Sequence, residues 1–360
     1  MEEYFKGKKV LITGHTGFKG SWLSLWLSNM GAELYGISIS VPTEPSHFNL
    51  LNINFARDIR VNVSDFSKVN EAIISIKPDY IFHLAAQALV SVSYEDPLQT
   101  FRTNVLGTLN ILESLRNINH RCITVIITSD KAYDNLEIKR GYHENDKLGG
   151  PDPYSGSKGS AELIINSYCR SFFQHSDNIL VGVGRAGNVI GGGDWASNRI
   201  IPDIIRSLES NEALKIRSPK ATRPWQHVLE PISGYLALAI NLTESSENNS
   251  EAFNFGPAFN NEYTVEQVLK EIQFYLTNLK WEYENNNEFK ESTLLKLDCE
   301  KALNKLDWKA CLDFKETINF TSSWYLEYFR NKNKITNFSQ NQIQEFITKA
   351  KSKEIKWAIN

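Results

Sequence analysis

Tyr154-Ser-Gly-Ser-Lys158 sets a phenol and an ammonium four residues apart, so a helix would carry both on one face. A nearby positive charge favours ionisation of a tyrosine, whose free pKa is about 10, and a tyrosinate can take an alcohol proton. The spacing alone is weak evidence, because Tyr4/Lys8 and Tyr328/Lys332 repeat it in the same chain. Position separates the three. Only Tyr154 follows an apolar run, Ile123–Thr128, that ends in Ser129-Asp130-Lys131. There a hydroxyl, a carboxylate and an ammonium stand side by side where a buried strand would emerge. An isolated Asp–Lys pair at such an end is an exposed ion pair in a turn. Beside a Tyr–Lys helix, with Ser129 able to bond the same substrate hydroxyl as Tyr154, it reads as a second acid–base pair.

A redox partner for that chemistry is encoded near the N-terminus. In KKVLITGHTGFKG, Gly14, Gly17 and Gly20 follow the first apolar run and open a helix. Gly14 allows the tight turn, Gly17 lets backbone N–H groups approach a pyrophosphate, and Gly20 lets helix and strand pack closely. At the first turn of a strand–helix–strand run this pattern predicts a dinucleotide site, with the nicotinamide facing Tyr154. Thr16, Phe18, Asp58, Ile59, Leu84, Ala85 and Ala86 complete the candidate cofactor contacts with Tyr154 and Lys158. Asp58 is the candidate for the adenine amino group. The acid expected after the second strand for the ribose 2′-hydroxyl is replaced by Ser38 and Ser40, and His15 and Lys19 could tolerate a 2′-phosphate. NAD is expected over NADP.

The elements that must hold these residues follow from the pattern. Short β-rich runs at Val10–Thr13, Leu34–Ile39, Arg57–Val63, Tyr80–Leu84, Ile123–Thr128 and Leu180–Gly184 alternate with helical stretches. The helices are expected near 17–30, 65–76, 98–117 and 153–173. Strands spaced in this way require right-handed crossovers, so the expected fold is α/β: a doubly wound, Rossmann-type parallel sheet with a smaller C-terminal substrate-binding domain. Residues 1–185 form the NAD-binding part, with 228–256 returning to it, and 186–227 and 257–330 the substrate-binding part. Trp22 and Trp26, one helical turn apart, are expected to pack on the sheet. The Lys- and Asn-rich tail 331–360 is expected to hold one helix, Gln340–Lys353, or to be partly disordered.

Composition excludes other classes. The chain has 360 residues, 41% hydrophobic and 22% charged, with net charge −3, so no nucleic-acid or membrane partner is expected. No apolar run approaches the ~18 residues of a membrane span, and the N-terminus lacks a signal-peptide core. Cys122, Cys169, Cys299 and Cys311 form no CxxC pair; buried free thiols in a cytoplasmic protein are expected, and no metal site.

TGHTGFKG, the YxxxK spacing and the strand-end serine resemble the extended short-chain dehydrogenase/reductase family. Up to about residue 330 the resemblance is closer to one branch. GHTGFKGSWLSLWL, HLAAQ, TNVLGT, TSDKAYDN, DPYSGSKGSAE, RAGNVIGGGDW, IIPDI, RPWQHVLEPISGYL and NFGP are similar to the CDP-glucose branch of the sugar-nucleotide 4,6-dehydratases. The resemblance implies that Tyr154 takes the C4-hydroxyl proton of CDP-glucose while hydride passes from C4 to NAD. Lys131 then helps remove the C5 proton, Asp130 protonates the departing 6-hydroxyl, and hydride returns to C6. Lys131 serves there either as the base, which requires a lowered pKa, or as an electrostatic stabiliser of the enolate. Asn104 is implied on the cofactor side. Gln87, Asn188, Arg199, Ile200 and Arg223 are implied on the substrate, with Arg223 clamping the diphosphate. His83 and His227 read as structural. A homodimer or tetramer is implied, with the helices near 98–117 and 153–173 forming a four-helix interface. Rival readings are another sugar-nucleotide dehydratase, an epimerase on the same scaffold, which has no need of the Asp130–Lys131 pair, and a catalytically silent NAD-binding scaffold.

Overall fold

Runs that are apolar on both faces need cover on both sides, and the sheet supplies the explanation. In the computed structural model, which describes residues 1–257, 262–284 and 295–359, seven strands form one parallel sheet. They are β1 (Lys9–Thr13), β2 (Glu33–Ser38), β3 (Arg57–Arg60), β4 (Tyr80–His83), β5 (Cys122–Ile127), β6 (Ile179–Ala186) and β7 (Ala252–Phe255), in the order β7-β6-β5-β4-β1-β2-β3. Every pairing is parallel, and β5 and β6 are buried along their whole length, as expected for a sheet with helices on both faces. The chain runs outward from β1 to β3, then returns to lay β4 on the other side of β1. Ligand crevices of such sheets open where the order reverses, here beyond Thr13 and His83.

The helices that matter for the site are α1 (Phe18–Asn29), α2 (Phe66–Ile76), α3 (Gly107–Arg116), α4 (Pro153–Tyr168), α5 (Ile200–Ser210) and α6 (Leu229–Glu244). The single helix expected over 98–117 is instead a short helix Pro97–Phe101, a π-helical turn Arg102–Leu106 and then α3, and α4 likewise ends in a π-helical turn, Cys169–Phe173. Among the described residues three short strand pairs lie outside the main sheet; one joins Thr222–Pro224 antiparallel to Glu262–Thr264. Of the stretch 257–330 read as substrate-binding, residues 258–261 and 285–294 lie outside the described residues.

The C-terminal tail takes the helical one of its two expected forms. After α7 (Phe314–Arg330) the chain forms α8 (Ile335–Ser352), five residues longer at its start than the sequence pattern indicated, and a last turn Lys356–Ile359. Its Lys and Asn residues mask a stripe of Ile335, Ile343, Phe346 and Ala350, all fully buried. Phe346 and Trp357 meet the Trp26 ring edge-on, at 5.8 and 6.2 Å between centroids, and His47 bonds Ser339 at 3.2 Å. Trp26 therefore packs on the tail as well as within the core beside the sheet. Among the described residues no helix is long and apolar enough to cross a membrane. Cys122, Cys169 and Cys311 are buried, Cys299 is partly so, and all four are free.

Candidate active site

Two elements converge at the carboxyl end of β5. The strand stops at Ile127, and Thr128 donates from its hydroxyl to Glu162 Oε1 at 2.5 Å. Ser129 is extended; its Oγ accepts from the Lys131 backbone N–H at 3.2 Å and donates to Asp130 Oδ1 at 2.9 Å, closing a 3₁₀ turn over Asp130–Ala132. Asp152 caps α4 by accepting from Ser155 N at 2.9 Å, with Pro153 in the first turn. Starting there, the helix places Tyr154, Lys158 and Glu162 at successive four-residue steps on one buried face. Arg185 of β6 grips Glu162 through two bonds, 2.9 and 3.0 Å, and donates to the Tyr133 hydroxyl at 2.7 Å. This buried pair ties β5, β6 and α4 together directly beneath the reactive groups.

Burial dominates the electrostatics. It pushes Tyr154 up to about 12, and a hydrogen bond with Ser129 and the charge of Arg199 offset only part of that rise. Glu162 is the charge acting on Lys158, and burial brings Lys158 down to about 8. Burial also raises the Asp130 carboxyl above its ordinary range against the opposing pull of Lys131, Ser129 and Lys19. Asp130 is thus biased toward the protonated acid.

The dinucleotide cradle lies on the other side of the crevice. Gly14 has φ +75°, and a Cβ there would come within 2.7 Å of Ala85 N; one on Gly20 would lie 2.1 Å from Gly14 O. Only glycine fits either position. Asp65 and Asp152 cap their helices, whereas α1 starts at Gly17 with no side-chain cap, leaving its first N–H groups for an anion. Thr16 is tied to Ser40 O at 2.7 Å, and Leu84 N and Ala85 N bond Thr13. These residues fit a dinucleotide pyrophosphate.

A family model described as GDP-mannose 4,6 dehydratase matches residues 11–321. The chain belongs to this GDP-mannose 4,6 dehydratase family. Among curated relatives, a CDP-glucose 4,6-dehydratase of Salmonella typhimurium is 43% identical, covering 96% of this chain and 98% of its own length. A CDP-paratose 2-epimerase of Salmonella typhi is 28% identical over 88% of this chain and 98% of its own. Among solved structures, a dTDP-glucose 4,6-dehydratase from Bacillus anthracis in complex with NAD shares the fold at TM-score 0.73 and 23% identity, covering 89% of this chain and 97% of that one.

Within this dehydratase-family fold, other sequence candidates stand differently from expectation. His15 is no free cation for a 2′-phosphate: its buried ring bonds Ser38 at 3.0 Å and Asp58 at 3.0 Å. Asp58 is also held by Arg60 at 2.6 Å, and its neighbour Ile59 packs against the core on that side of the sheet. Lys19 faces Asp130, Lys158 and Arg199 at the reactive end instead of the ribose. Gln87, read as reaching the sugar, turns its amide to Leu89 and Thr100. Asn104, in the π-helical turn, bonds Gln87 N, Gln87 O and Ser157 at 2.8, 3.1 and 2.8 Å, locking the loop after β4 to α4. Asn188 is exposed after β6. Arg199 precedes Ile200 at the start of α5, bonds Asp194 at 3.0 Å and acts on Tyr154. Arg223 lies on the short strand Thr222–Pro224 and donates to Thr222 O at 2.8 Å. Phe18 opens α1. His83 and His227 are buried and held uncharged, at about 3. The sequence reading missed Glu162 and Arg185; the one available signal was the four-residue step from Lys158.

Proposed function

We propose that the chain is an NAD-dependent CDP-glucose 4,6-dehydratase that converts CDP-glucose to CDP-4-dehydro-6-deoxyglucose. The observation that carries the reading is the meeting of Tyr154 and Ser129 with a buried Asp130, its carboxyl raised above the ordinary range, at one strand end. An epimerase needs the first two groups for a C4 oxidation but no acid for a departing hydroxyl. CDP as the nucleotide is supported by the relative that is 43% identical over nearly the whole chain. When bound, NAD supplies a hydride acceptor for C4 and a donor for C6.

In this reading Ser129 bonds the C4 hydroxyl and Tyr154 takes its proton, while Lys158 orients the cofactor from the next turn of α4. The 4-keto group acidifies C5. Lys131 removes the C5 proton or stabilises the enolate, and Asp130 gives its proton to the 6-hydroxyl, which leaves as water. Arg199 and Arg223 bind the diphosphate, and Gly14, Gly17 and Gly20 cradle the pyrophosphate of NAD. Residues 1–185 with 228–256 hold the cofactor, and 186–227 with 257–330 cover the substrate. The working form is a cytoplasmic homodimer or tetramer.

The test is to incubate the purified protein with CDP-, dTDP-, GDP- and UDP-glucose and to follow the sugars by NMR. A 4-keto-6-deoxy product is expected from CDP-glucose first. Inversion at C4 without loss of water, or no product from any of the four, would overturn the reading.

A further inference from the structure

Lys19 belongs to the cleft yet takes no part in the steps above. It stands in the first turn of α1, directly after the glycine turn, and is half-buried. Among the described residues its ammonium has no hydrogen-bond or ion-pair partner. The charges it meets are Asp130 from the end of β5, Lys158 from α4 and Arg199 from the start of α5. It therefore sits with the reactive groups, while His15, Asp58 and Arg60 close on one another at the edge formed by β2 and β3.

The surrounding charges do not cancel it. Arg199 is bound to Asp194 at 3.0 Å, and Asp130 accepts from Ser129 with its carboxyl biased toward protonation. Of the two lysine ammonium groups at this end, Lys19 meets the buried Asp130 carboxyl and Lys158 meets Glu162. Burial brings each of them down to about 8, so both are mostly charged at neutral pH.

We propose that Lys19 biases the cofactor site toward the reduced dinucleotide. The oxidised nicotinamide ring carries a positive charge that a neighbouring ammonium opposes, and the reduced ring carries none. The proposal rests on the dehydratase reading, which requires the hydride to stay stored while water leaves. In that sequence the C4–H bond breaks, its hydride reduces the oxidised dinucleotide, and the hydroxyl proton passes to Tyr154. After elimination the same hydride adds to C6 and a proton adds to C5, so the oxidised dinucleotide is restored. A site that favours the reduced form protects the interval between the two transfers.

The experiment titrates NAD and NADH separately, by protein and nicotinamide fluorescence, into wild type, Lys19→Met, Lys19→Gln and Lys19→Arg, with no sugar nucleotide present. A unit charge acting across a cleft at an effective dielectric of ~20 changes such a ratio on the order of tenfold. The ratio Kd(NAD)/Kd(NADH) is expected to fall by about that factor in the two neutral variants, chiefly through tighter NAD binding, and to persist in Lys19→Arg. If both constants move by the same factor, Lys19 is a pyrophosphate contact and the proposal is overturned; unchanged constants overturn it equally. Because no sugar is needed, an unmoved ratio counts against Lys19 alone, whereas failure to convert CDP-glucose counts against the dehydratase reading.

Discussion

Asp130 and Tyr154 sit in the same buried corner, and burial acts on them in ways that suit different steps. It raises the Asp130 carboxyl, which gives a proton in the proposed reaction, and it raises Tyr154, which loses one there, so Tyr154 depends on its bond with Ser129 and on added positive charge. Removing either group should therefore stop the reaction at a different point. Tyr154→Phe keeps the ring and removes the acid–base group, so NAD binding should stay within a few-fold while no hydride leaves C4. In Asp130→Asn the shape is retained but the acid for the 6-hydroxyl is lost. General acid catalysis is worth about 10²–10⁴-fold, so elimination should become limiting and NADH should accumulate on mixing with CDP-glucose, read as near-ultraviolet absorbance. Wild-type turnover in the Phe variant would rule out Tyr154, and the absence of NADH in the Asn variant would rule out Asp130 as the acid. Because the Asp130 carboxyl sits above its ordinary range, the elimination rate should be full at acid pH and fall as pH rises through that raised value. Ser129, Asp130 and Tyr154 were legible in the sequence because adjacency and helical spacing carry their relation. The role of Lys19 was not, because it meets Asp130 only through the closure of β1, α1 and β5 into one crevice.

Between elements, the part that aligns α4 with the strand end is the Glu162–Arg185 pair. Glu162 receives the Thr128 hydroxyl and two guanidinium bonds, and Arg185 reaches on to Tyr133, which donates to Asn254 of β7 at 2.8 Å. Breaking one partner of a buried pair leaves the other charge uncompensated and typically costs about 3–5 kcal/mol. Arg185→Leu should lower the stability to urea by that order. Adding Glu162→Gln should recover part of the loss, because the orphaned carboxylate is then neutral. If the single and double variants unfold at the same urea concentration as wild type, the pair does not hold the site. From sequence, Arg185 marked only the end of the NAD-binding part, where the strand–helix rhythm changes. Strand and helix identities were readable from period and turn residues, whereas a charged residue inside an apolar strand gains its meaning from a partner on an element some twenty residues away. The π-helical turns escaped for a similar reason: Asn104 is turned inward by Gln87 and Ser157, and nothing local marks the extra residue in the turn.

For the whole molecule, the tail and the outer helices make opposite demands. The tail's helix was readable as Gln340–Lys353 although its polar residues outnumber its apolar ones, and its buried stripe closes the core beside Trp26. The helices that flank the sheet on the other side keep a row of large apolar side chains in the open: Leu98, Phe101 and Leu106 before α3, and Leu163 and Phe172 along α4 and its π-helical turn. Leu98 and Leu163 are 60% and 61% exposed, unlike the interior faces of the same helices, which are buried. Such a concentration on two adjacent segments, which run parallel to each other and opposite to the strands, suits a second copy of the chain related by a two-fold axis, which would pair the same helices into a four-helix interface. A stable interface of this kind buries roughly 1,200–2,000 Å² in total, within reach of two helices of this length from each protomer. Sedimentation at micromolar concentration should give a dimer or a multiple of it. Leu98→Glu combined with Leu163→Glu places four carboxylates at the centre of the paired helices, so that variant should sediment as a monomer with an unchanged circular-dichroism spectrum. A wild-type protein that sediments only as a monomer would leave these side chains exposed to water and refute the pairing.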